Sequence, residues 1–92
     1  MPVLTEHEIN HSLESLPAWR VEASALRRNF KFGDFREAMS FVNSVAAVAE
    51  RAGHHPDIDI RYNKVELALA SHDAGGLTEK DFAVARDVDS IL

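Results

Sequence analysis

The apolar positions of this 92-residue chain follow two rhythms in turn, one of three to four residues and one of two. Ile9, Leu13 and Leu16 share one face of a helix over residues 5–15, with Thr5 as its cap and Glu8 at the third helical position, and Pro17 ends it. The rhythm then shortens. Trp19 and Val21, followed by Leu26, Phe30 and Phe32, alternate as in a hairpin whose turn falls at Glu22-Ala23-Ser24. From Asp34 the helical period returns over the longest element: Phe35, Ala38, Met39, Val42, Val45, Ala46 and Ala49 form its stripe, and Gly53 suits a left-handed close. Ile58, Ile60 and Tyr62 alternate on a third strand, Asn63-Lys64 make a turn, and Val65, Leu67 and Leu69 alternate on a fourth. Ala74-Gly75-Gly76 interrupts the chain before Thr78, which caps a last helix carrying Phe82, Ala85, Val88 and Leu92.

The order is therefore α-β-β-α-β-β-α. The only crossover long enough to join parallel strands is the central helix, so the sheet is expected to be mostly antiparallel. Helices packed on one face of a four-stranded antiparallel sheet make a two-layer α+β fold, and 92 residues make one domain, 1–92. The uncovered face of the sheet then predicts self-association.

Composition narrows the function. Ten basic against 15 acidic residues give a net charge of −5, against direct nucleic-acid binding; Arg27, Arg28 and Lys31 read as a solvated strand face. No apolar run reaches membrane-spanning length, and MPVLTEHEINH has neither the basic start nor the apolar stretch of a signal peptide, so no membrane association is expected. The absence of cysteine removes thiolate chemistry and fits a cytoplasmic protein.

Two histidine motifs carry candidate chemistry. His7-Glu8-Ile9-Asn10-His11 matches the H-E-x-x-H pattern of zinc peptidases. Its histidines lie about 160° from Ile9 around the helix, on the solvent side, and the match is read as a coincidence. The second motif is Gly53-His54-His55-Pro56, where a glycine and a proline pin two adjacent histidines at a helix-to-strand bend. His72 ends the fourth strand, and a hairpin between strands three and four brings it to the same end as His54 and His55. Three converging histidines can hold a zinc ion or exchange protons near neutral pH, and the spacing leaves both open. Glu50 reads as a solvated carboxylate, Asp81 as the third residue of a capping box begun by Thr78, and Trp19 and Tyr62 as core or interface aromatics.

Taken together, Glu50, His54-His55-Pro56, Tyr62, His72 and Asp81 form the pattern E-x3-HHP-x5-Y-x9-H-x8-D. This resembles the pterin-4a-carbinolamine dehydratase family, and the likeness extends to Trp19, NFKFGDFREAMSFV, YNKV and GGLTEKD. The resemblance implies a metal-free, cofactor-free hydro-lyase that removes water from 4a-hydroxytetrahydrobiopterin to give quinonoid dihydropterin. That substrate is what a pterin-dependent aromatic amino-acid hydroxylase leaves behind. The resemblance also implies assembly into a homodimer or homotetramer and three active-site histidines, His54, His55 and His72. His54 and His72 are then the acid–base pair and His55 a substrate-orienting group, with His54 and His55 interchangeable in those roles. Glu50, Pro56, Asp81 and Trp19 become binding or orienting residues. Members of that family also act as interaction modules, so a non-catalytic or dual role is the alternative.

Overall fold

The computed structural model describes residues 2–92. Its elements follow the expected order: α1 (Glu6–Leu13), β1 (Arg20–Glu22), β2 (Ala25–Lys31), α2 (Phe35–Ala52), β3 (Asp57–Arg61), β4 (Lys64–Leu69) and α3 (Glu79–Ser90). The four strands form one antiparallel sheet in the order β1-β2-β4-β3, so the two hairpins meet through β2 and β4 and leave β1 and β3 as edges. Leu26, Phe30, Val65, Leu67 and Leu69 point from the central strands into a core closed by Val45, Val48, Phe82, Val84 and Val88 of α2 and α3. That burial is the main source of stability, at roughly 1.5–3 kcal/mol for each large apolar side chain.

Each helix starts as its sequence dictates. Thr5 and Glu8 form a reciprocal capping box on α1, Asp34 caps α2 through the Glu37 amide, and Thr78 with Asp81 forms a second capping box on α3. On α2 the buried stripe is Ala38, Phe41, Val42, Val45, Val48 and Ala49. Phe35 and Ala46, expected in the stripe, are exposed. Phe41 and Val48 share the face of Ala38, Val42 and Val45 and take the core instead, with the Phe41 ring 4.5 Å from Phe30 and 5.0 Å from Phe32. α3 stops at Ser90, which leaves Leu92 outside the helix and exposed.

Both hairpin turns differ from expectation, the first by length and the second by position. Glu22 pairs with Ala25, so the first turn is Ala23-Ser24, both in the left-handed region with φ 52° and 62°. Arg61 pairs with Lys64, so the second turn is Tyr62-Asn63 rather than Asn63-Lys64, and Tyr62 is an exposed turn residue with φ 55° rather than a strand residue. The Asn63 side chain secures that turn by donating to the Phe32 carbonyl at 2.8 Å. Moving the turn by one residue shifts each cross-strand partner by two, so the inward alternation of β3 and β4 is preserved.

The uncovered sheet face also differs from expectation. It carries Arg20, Glu22, Arg27, Asn29, Lys31, Asp57, Asp59, Arg61, Lys64 and Glu66, with Glu66 bridging Arg20 and Arg27 at 3.0 and 3.1 Å. Ala25 and Ala68 share this face, which is otherwise polar and charged. Arg28, on the opposite face, pairs with Asp89 of α3 at 2.7 Å.

Candidate active site

The cleft lies where α2 hands over to β3 and β4 hands over to α3. Gly53 ends α2 with φ 63°, and its amide and that of His54 return to the carbonyls of Glu50 and Ala49. A β-carbon at residue 53 would meet nothing within 4 Å, so glycine is required there by backbone conformation rather than by space. The left-handed step turns the chain off the helix axis and Pro56 carries it into β3, which separates the directions of His54 and His55. On the other side of the cleft, the chain leaving β4 bends through Ala74 and Gly75, whose amides donate to the Ser71 carbonyl at 3.0 and 3.1 Å. That bend presents His72.

All three histidines line one open cavity of about 610 Å³, together with Gly53, Ala70, Ser71, Asp73, Ala74, Thr78 and Lys80. The two adjacent histidines have opposite surroundings. The His54 Nε2 lies 2.6 Å from Asp81 Oδ1, with the His54 side chain 15% and the Asp81 side chain 0% exposed. The His55 Nε2 lies 2.5 Å from Glu50 Oε2, and those side chains are 60% and 76% exposed. His72 is exposed and has no side-chain hydrogen bond among the described residues.

Asp81 is held from three sides. Its Oδ2 accepts from the Ser71 hydroxyl and from the Thr78 amide, both at 2.9 Å, while Oδ1 faces His54. The capping role and the histidine contact therefore belong to the same carboxylate, one oxygen each. An ionised carboxylate only accepts, so His54 Nε2 carries the proton of this contact and donates it to Asp81. The other ring nitrogen of His54, Nδ1, is then the one able to exchange a proton with a ligand.

The structure does not bring every expected residue to the cleft. Trp19 is 4% exposed, stacks edge-on against Phe30 and donates from Nε1 to Asp89 at 2.8 Å; it belongs to the core and is not among the cleft-lining residues. Glu50 and Pro56 do not line the cavity either, and reach it only through His55 and the bend. His7 and His11 are exposed on α1, as the helical angle predicted. Among the described residues no three His, Asp or Glu side chains are arranged to hold a metal ion. Ser71 and Lys80 carry no expectation from the sequence, and Thr78 only that of a helix cap. A signal existed for Ser71: it continues the inward alternation of Val65, Leu67 and Leu69, and a polar residue at a core position demands a partner.

The chain matches the family model described as "Pterin 4 alpha carbinolamine dehydratase" over residues 2–91. It is 56% identical to a "Putative pterin-4-alpha-carbinolamine dehydratase" of Acidobacterium capsulatum, covering 100% of both chains. It is 55% identical to a protein of the same description from Chloroflexus aurantiacus, covering 100% of this chain and 99% of the relative. A crystal structure described as a transcriptional coactivator/pterin dehydratase from Brucella melitensis superposes with a TM-score of 0.91 at 40% identity over 97% of each chain. A pterin dehydratase-like protein described as a RuBisCO assembly factor in the alpha-carboxysome superposes with a TM-score of 0.68 at 28% identity, over 80% of this chain and 88% of that one.

Proposed function

The chain belongs to the pterin 4 alpha carbinolamine dehydratase family, and from that premise we propose that it catalyses the dehydration of 4a-hydroxytetrahydrobiopterin in tetrahydrobiopterin recycling. The observation that carries this reading is the gathering of His54, His55 and His72 in one cleft, with a buried carboxylate behind the first.

The reaction needs two proton movements on neighbouring ring atoms. The C4a–O bond breaks only if the departing oxygen gains a proton and leaves as water, and N5 must lose its proton as the N5=C4a double bond forms. One group gives a proton and another takes one, so the cleft ends the cycle with no net change of charge. His54 and His72 serve as that pair: they stand on separate segments that meet at the cleft, so each addresses a ligand from its own side. Asp81 holds the far nitrogen of His54, so its exchange runs through Nδ1. His72 has both ring nitrogens free for a ligand. His55, held by Glu50, orients the substrate from the cleft rim, and Pro56 fixes the bend that aims both histidines. Trp19 acts by supporting the core beneath β1 and β2 rather than by touching the pterin.

No cofactor or metal is required by this scheme. The hydroxylated pterin is supplied by an aromatic amino-acid hydroxylase reaction. The chain self-associates through its exposed apolar side chains rather than its charged sheet face: every residue of the β3 edge is exposed, including Ile58 and Ile60, and Phe35, Val21 and Tyr62 are exposed elsewhere. This surface supports a second role as an interaction module alongside catalysis. Light scattering of the purified chain reads the assembly directly, with a dimer or tetramer expected and a monomer contradicting it.

Catalysis is tested by generating the carbinolamine in situ with a hydroxylase and following its ultraviolet decay. The wild-type protein is expected to accelerate decay above the spontaneous rate, unchanged by chelator, and His72→Ala to reduce that acceleration by about 100-fold or more. A folded wild-type protein that leaves the spontaneous rate unchanged overturns the assignment.

A further inference from the structure

Behind the cleft, the hydrogen bonds of three buried side chains form a chain with only one consistent direction. Ser71, Thr78 and Asp81 are 4%, 0% and 0% exposed. The Ser71 hydroxyl has a single proton, and its bond to Asp81 Oδ2 at 2.9 Å uses it, because an ionised carboxylate only accepts. The 2.9 Å contact between Ser71 Oγ and Thr78 Oγ1 must then be donated by Thr78. The Thr78 oxygen in turn accepts from the Lys80 amide at 3.3 Å. Every proton from the first turn of α3 to Asp81 is thereby assigned, and no buried side-chain nitrogen or oxygen among the described residues lacks a partner.

We propose that Ser71 is a positioning residue that locks the two halves of the cleft together: its hydroxyl fixes the Asp81 carboxylate, and with it the His54 ring with Nδ1 free, while its main chain anchors the loop that carries His72. Ser71 is suited to both tasks by its place. It directly precedes His72, pairs across an isolated bridge with Gly76, and its carbonyl receives the Ala74 and Gly75 amides. A rotation of Asp81 would therefore misorient His54, and a loss of the Ser71 side-chain contact would also loosen the segment bearing His72. Ser71 touches no reacting atom in this scheme; it acts through Asp81.

The effect on turnover rests on the acid–base reading of His54, whereas the effect on the ring does not, so two measurements separate them. The first is nitrogen-15 correlation spectroscopy of the histidine rings in wild type, Ser71→Ala, Ser71→Cys and Ser71→Thr, each checked for folding by its amide spectrum. Wild type and Ser71→Thr are expected to show neutral His54 protonated at Nε2 alone, with a slowly exchanging Nε2–H. Ser71→Ala is expected to show mixed tautomers and a lost or fast-exchanging Nε2–H. Ser71→Cys, nearly isosteric but a weak donor, serves the same purpose if the alanine variant does not fold. His54 protonated at Nδ1 in the wild type, or an unaltered ring in both the alanine and the cysteine variant, overturns the proposal whatever the enzyme activity.

The second measurement is the dehydration assay. A positioning role predicts a fall of about 10- to 100-fold in kcat with KM nearly unchanged in Ser71→Ala, restored in Ser71→Thr. An altered ring with unaltered kcat would leave the proton assignment standing and overturn the catalytic role of His54.

Discussion

Two histidine–carboxylate pairs sit side by side in this protein, made from adjacent histidines and the same chemical partners, yet they belong to different regimes. His54–Asp81 is sealed between α2, β4 and α3, with a carboxylate fully withdrawn from water and satisfied by two further donors. His55–Glu50 stands in solvent, where both side chains keep most of their freedom and salt screens their attraction. The capping boxes repeat the contrast. Thr5–Glu8 is an exposed cap that only starts a helix, while Thr78–Asp81 is a buried cap whose carboxylate also serves the cleft. Burial, rather than residue type, decides which pair can hold a ring to one orientation and one tautomer.

The comparison is most severely tested by Asp81→Asn. The amide keeps an oxygen for Ser71 and Thr78 but turns an N–H toward His54, which reverses the ring's tautomer and removes Nδ1 as acceptor. Turnover is expected to fall by about 10²- to 10⁴-fold in a folded protein, as wrong-tautomer substitutions do elsewhere. Asp81→Ala adds a stability loss of about 3 kcal/mol, because buried donors on Ser71, Thr78 and His54 lose their acceptor, and thermal unfolding is expected about 15 °C lower.

Gly53→Ala is the next largest change. Open space surrounds the new methyl group, so its cost of about 1–2 kcal/mol comes from the left-handed backbone alone. Chemical denaturation checks it, and a neutral result would show that the bend relaxes. Glu50→Gln then sharpens the contrast from the exposed side. Stability is expected to stay within about 0.5 kcal/mol and turnover within about tenfold of wild type.

The smallest effect is a pH dependence at α1. The Thr5 amide, and then its hydroxyl, hold the Glu8 carboxyl below its ordinary value of 4.5. A lowered folded value means that this contribution to α1 is complete above the ordinary value and is lost as pH falls through the lowered one. Amide exchange in α1 is expected to quicken over that acid window while the core of α2 stays protected. Exchange that quickens equally in both helices would contradict a local effect.

Much of this was legible along the chain because each element announces itself locally. The caps at Thr5, Asp34 and Thr78, the stop at Gly53 and the alternation of Val65, Leu67 and Leu69 all act within a few residues. Convergence of the three histidines followed from strand pairing, and survived a misplaced turn because the error preserved alternation. What escaped was decided at longer range. Phe41 and Val48, rather than Phe35 and Ala46, lie on the buried face of α2, where Phe41 packs on Phe30 and Phe32, and Trp19 finds its partner in Asp89, 70 positions away. Ser71 joins three segments, so its role becomes visible only when α3 closes over the end of β4.

The most direct test of the account compares Asp81→Asn and Glu50→Gln in one catalysed-dehydration assay, with folding checked for both. The account predicts a wild-type acceleration that falls by about 100-fold or more in Asp81→Asn and by less than about tenfold in Glu50→Gln. Equal losses in the two variants, or an Asp81→Asn protein as active as wild type, would contradict it.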